Sequence, residues 1–207
     1  MKIILHVIMA ISLLVIFQFK QGRYKPVGEN LPEKLIPSND IQALLLFERK
    51  KSYLQEAMDA KVKKAGILPL RASAISSGGL EIRVWGGFGV IDPNCFIIRK
   101  IGKNWSGAYI PSGKPKKQSD KIKSVRPTSG WSKLWEKLEA ENILSLPDQP
   151  ERKDKLMIYD GITYCVEIKE KGKYYMYSYN NPDPRESTEA AHVLKIFQIL
   201  TAELINQ

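Results

Sequence analysis

Between residues 80 and 126, and again between 162 and 179, apolar side chains recur at every second position, while the segments around them repeat every three to four. That change of period constrains the fold more than any other feature, because strands send successive side chains to opposite faces and helices do not. Leu80, Ile82 and Val84 alternate with Glu81, Arg83 and Trp85, and CFIIRKI (95–101), WSGAYI (105–110) and KIKSVR (121–126) follow, each bounded by Gly, Pro, Asn or Ser. These runs predict four short antiparallel strands. ITYCVEIK (162–169) and YYMYSY (174–179), joined by EKGK, predict a hairpin.

Three segments carry the helical period. Ser38 or Asp40 can cap a helix over 41–64, with Leu44, Phe47, Leu54, Met58 and Val62 on one stripe. Thr128 and Ser129 can cap a second, lined by Trp131, Leu134, Trp135 and Leu138 and stopping before Pro147. A third is expected over 186–205, with Val193, Leu194, Phe197, Leu200 and Leu204 inward. The expected architecture is α+β: an antiparallel sheet of about six strands, helices packed on one face, in the order α-ββββ-α-ββ-α. Residues 41–207 form a single domain in this reading, and an apolar content of 43% supplies its core.

Ahead of it, Ile3 to Phe19 carry no charge and only His6, Ser12 and Gln18 as polar interruptions, which predicts an N-terminal transmembrane or signal helix at 1–19. The large side chains of VIFQFKQG do not suit a cleavage site, which favours a retained single-pass anchor over a secreted or periplasmic product. A segment starting this early favours an extracytoplasmic body. Lys20, Arg23 and Lys25 behind it argue the other way under the positive-inside rule. Residues 20–40 hold three prolines and two glycines and read as a linker.

The stretch RVWGGFGVIDPN (83–94) is too closely spaced for a dinucleotide fingerprint and lacks the Lys-Ser/Thr of a P-loop; it reads as a bulge and turn. Histidines occur only at 6 and 192, so any nucleophile–base pair would depend on His192, read as a helix-surface residue. No C-x-x-C or H-x-x-x-H spacing calls for zinc, and no cofactor is expected. The two cysteines, Cys95 and Cys165, read as buried thiols, with a disulfide as the alternative in an exported body.

Charge is unevenly distributed. Between Arg99 and Lys137 eleven Lys or Arg stand against Asp120 and Glu136, a net +9 out of +10 for the chain. Lys114, Lys116, Lys117, Lys121, Lys123 and Arg126 form a basic loop suited to an anionic partner such as lipid head groups, with nucleic acid less suited. The leading expectation is therefore a membrane-anchored or exported, non-enzymatic binding module. A small hydrolase-like enzyme using Asp160 and Glu167, with Glu81 nearby, is one alternative. Another is a protein inhibitor or immunity-type partner docking through the tyrosine-rich hairpin, with Tyr175, Tyr177, Tyr179, Trp85 and Phe88 as an interaction surface. Asn104-Trp105-Ser106 matches a glycosylation acceptor.

Trp135 through Pro182 resembles a loose pattern found in uncharacterised bacterial proteins with export signals: W-x-x-L, Leu146-Pro147-Asp148, Asp160-Gly161, Tyr164, Glu167 and Asn181-Pro182. The resemblance implies a small bacterial domain beyond an export or anchor signal, and brings no known activity.

Overall fold

The computed structural model describes residues 38–75, 78–89, 91–113, 121–149 and 161–205, with side chains from Lys51 onward. They fold as α1 (Ser38–Lys64), a 3-10 turn (Leu70–Ala72), β1 (Leu80–Gly89), β2 (Asn94–Ile101), β3 (Asn104–Ile110), β4 (Lys123–Val125), α2 (Trp131–Ala140), β5 (Ile162–Glu170), β6 (Lys173–Asn180) and α3 (Thr188–Leu204). A compact unit spans Asn39–Gln207. The expected apolar segment at 3–19, the linker to residue 37 and Lys114, Lys116, Lys117 and Asp160 lie outside the described residues. Among those described, no helix is long and apolar enough to cross a membrane.

The six strands form one antiparallel sheet in the order β4-β3-β2-β1-β5-β6. β1 is the hinge of the topology, paired along its length with β2 on one side and β5 on the other. The fold is therefore α+β with the expected order of elements.

The helices do not share one face. Leu80, Ile82, Val84, Phe96, Ile98, Val166, Ile168, Tyr177 and Tyr179 meet α2 and α3 through Leu134, Leu138, Val193, Ile196, Leu200 and Leu204. On the opposite face Trp85, Phe88, Cys95, Ile97, Ile110, Cys165 and Met176 meet Leu54, Met58 and Val62 of α1. The reason lies in β1, β2 and β5, whose odd and even positions both carry apolar residues, so either face left bare would expose a large patch.

The glycine stretch lies within β1. Between Gly86 and Phe88 the β1–β5 register shifts by one residue, with Gly87 at φ 108° as the extra residue of a bulge. The bulge returns Phe88 to the face of Trp85, and both are buried. Gly86 faces the other way, under Phe197; a Cβ there would lie 2.6 Å from that ring, which Phe96 and Tyr164 hold edge-on from either side.

One helix end differs from expectation. Thr128 and Ser129 do not cap α2: Gly130 is the N-cap and makes no side-chain bond, because the Thr128 hydroxyl and the Ser129 amide both donate to the Glu203 carboxylate. α2 stops at Ala140, before Pro147 as expected, and Asn142 then turns the chain at φ 56°. α3 is capped as an ordinary N-terminus, with the Ser187 hydroxyl accepting from the Ala190 amide.

Candidate functional site

On the α1 face the sheet carries charge as well as apolar side chains. Glu81, Arg83 and Glu167 are almost fully buried, although alternation alone reads Glu81 and Glu167 as solvated. Arg83 Nε donates to Glu81 Oε1 at 2.8 Å and Arg99 Nε donates to Oε2 at 2.7 Å, so one carboxylate is gripped by two guanidinium groups. Arg83 Nη2 stays 2.8 Å from Glu81 without the angle of a hydrogen bond, and neither Nη1 nor Nη2 has an acceptor among the described residues. Removing one member of such a buried pair strands the other, at a typical cost of about 3–5 kcal/mol.

Glu167 faces Arg83 across the β1–β5 ladder. It accepts from Trp85 Nε1 at 2.7 Å and from the Tyr174 hydroxyl at 3.0 Å. Burial pushes its carboxyl up, against the pull of Trp85, Arg83 and Tyr174. Lys169, next along the strand, is also buried and donates to the carbonyls of Leu70, Arg71 and Ser73, which fastens the 3-10 turn to the sheet. Both carboxylates of the constellation are met by donors from within the fold. Acid–base work by Asp160 with Glu167 would need a carboxylate that substrate can reach, and Glu167 is 3% exposed beneath α1.

The two thiols lie on this face as well. Cys95 and Cys165 are directly opposite Trp85 on either side of β1, buried and not bridged. Two strand spacings separate them, about 10 Å between Cα atoms, beyond the reach of a disulfide. Burial pushes the Cys95 thiol well up.

The aromatic surface expected on β6 is mostly internal. Trp85, Phe88, Tyr177 and Tyr179 are in the core, and only Tyr175, 38% exposed, reaches solvent. The tyrosines act as pegs for the chain after α2. Tyr175 donates to the Leu144 carbonyl, Tyr177 to Ile143 and Tyr179 to Pro147, at 2.5, 2.9 and 2.9 Å. Asp148 then accepts from the Ser178 amide and from Lys51 of α1, and Gln149 bonds Ser178 and Asn180, covering the β6 edge. Gly161 and Asn181 are similarly architectural: Asn181 Oδ1 accepts from the Ile162 amide, and no Cβ fits at Gly161 against that amide side chain. His192 reaches Glu141 at 2.6 Å and links α3 to the end of α2.

The basic segment is the opposite case. Of its described members, Arg99, Lys103, Lys123, Arg126, Lys133 and Lys137 are exposed and Lys100 and Lys121 half-buried, around β3, the edge strand β4 and α2. Arg99 and Lys137 are also committed to Glu81 and Glu203. Asn104 is exposed at the start of β3. No group of His, Cys, Asp and Glu among the described residues could hold a metal ion.

Comparison with known proteins adds no relative: no protein family, no curated protein and no solved structure matches the chain.

Proposed function

We propose that this chain is a non-enzymatic binding module, membrane-anchored or exported through residues 3–19, which meets an anionic partner through the basic run at 114–126. One observation carries the reading: a net +9 of the chain's +10 lies between Arg99 and Lys137. The buried carboxylates are matched internally, while Lys123 and Arg126 stand exposed at the sheet edge. The resemblance to uncharacterised exported bacterial proteins accords with an anchored or exported module. Its residues Pro147, Asp148, Gly161 and Asn181 all serve chain-to-chain fastening here, so we read that pattern as a signature of architecture.

The test is co-sedimentation of residues 21–207 with anionic and zwitterionic vesicles across a salt series, beside heparin chromatography. Changing Lys114, Lys116, Lys117, Lys121, Lys123 and Arg126 together to Gln is expected to abolish salt-sensitive retention on both, at unchanged circular dichroism. Retention of the six-site variant equal to that of the unaltered chain would refute the reading.

A further inference from the structure

Four tryptophans occur in the chain and they divide sharply. Trp85 is fully buried with its N–H bonded to Glu167. Trp105, Trp131 and Trp135 are half-buried together where β3 meets α2, and none of their indole N–H groups has a partner among the described residues. Trp105 and Trp131 lie nearly parallel with centroids 6.1 Å apart, and Trp135 tilts against Trp105 at 5.1 Å. Gly107 admits this cluster, since a Cβ there would stand 2.6 Å from the Trp131 ring. β4 covers β3 only at Gly107–Tyr109, which leaves the Trp105 end of the edge unpaired within the described sheet.

A cation stands over the cluster and an apolar side chain projects from the turn beside it. Lys100 Nζ lies 4.9 Å above the Trp105 ring, and Lys103 is exposed in the β2–β3 turn that leads into Trp105. Ile101, at the same turn, is 50% exposed. We infer that this edge is seated on an anionic bilayer surface, with Trp105, Trp131 and Trp135 at head-group depth and the lysines against lipid phosphates. The inference rests on the anionic-partner reading and names the partner.

Indoles favour that depth because the ring leaves water while the N–H stays hydrated, and each nearby lysine adds attraction to anionic lipid. A nucleic acid would need an open ring face for a base to stack on. Lys100, Trp131 and Trp135 already crowd the ring of Trp105. The covalent reach also suffices: eighteen residues, 20–37, separate the apolar segment from α1 and span at most about 60 Å.

The experiment uses the full chain with vesicles whose acyl chains are brominated, so that association through residues 3–19 is not itself the readout. Tryptophan quenching is expected in vesicles of phosphatidylglycerol and phosphatidylcholine, fading as salt rises. Trp105→Phe with Trp131→Phe is expected to remove most of it, while unquenched emission from Trp85 reports an intact core. Lys100→Gln is expected to weaken the salt-sensitive component about fivefold. Equal quenching in purely zwitterionic vesicles would overturn the electrostatic part of the inference. Absence of quenching in anionic vesicles overturns the membrane seat. If heparin retention then still depends on the six basic residues, the anionic-partner reading stands without it; if that retention is also missing, both fall.

Discussion

Gly86 illustrates how a single missing side chain organises the middle of the molecule. Its bare Cα accepts the Phe197 ring between Phe96 and Tyr164, so Gly86→Ala is expected to cost about 1–3 kcal/mol in urea unfolding. Phe197→Leu in the same chain should recover part of that loss, a coupling that a double-mutant cycle measures. Glu167 makes a prediction of opposite kind. Its carboxyl is raised by burial, so the folded state holds its proton more tightly than the unfolded chain does. Stability contributed by the protonated form is full below the unfolded value near pH 4.5 and declines as pH rises through the folded value. Glu167→Gln has no such dependence, and its urea midpoint should gain on that of the unaltered chain between pH 4.5 and 8. None of this was legible in LEIRVW or ITYCVEIK alone. Alternation assigns Glu81 and Glu167 to the face opposite the core, and it does so correctly. It carries no signal that this second face is also covered; the hint lay in Trp85, Cys95, Ile97 and Cys165, too apolar for solvent.

At the scale of elements, periods and turn residues located every strand and α-helix among the described residues, because a repeating pattern marks each unit. Their ends depended on distant partners. Thr128 and Ser129 have the chemistry of caps, yet Glu203, seventy-odd residues away in sequence, engages both and also accepts from Lys137 of α2. Burial raises the Glu203 carboxyl, but the bonds from Lys137, Thr128 and Ser129 outweigh it and hold the group at about 2. A depressed carboxyl contributes stability that is present above about pH 4.5 and lost as pH falls through 2. Glu203→Gln should therefore lower stability at pH 7 by about 1–3 kcal/mol and narrow that difference as the solution is acidified to pH 2, read from urea midpoints. The tyrosines of β6 were legible only in part. Their spacing announced one aromatic face, but the carbonyls they bond belong to 143–147, whose path no local pattern encodes.

For the whole molecule, sheet order was the part least accessible from sequence, since joining a four-strand run to a separate hairpin depends on β1 pairing with both β2 and β5. That arrangement encloses Glu81 and Glu167 with their donors, while counting along the sequence alone locates the excess of cations between Arg99 and Lys137. It also puts the indole of Trp85 between the two cysteine thiols of the sheet, like a spacer built into the wall. Thiol oxidants can make no staple across it without tearing β1 from its neighbours, and the buried Cys95 thiol is a poor nucleophile. The urea midpoint is thus expected to be the same in dithiothreitol and in oxidised glutathione. A chain so insulated is indifferent to redox surroundings, and the same body would hold its shape on either side of a membrane.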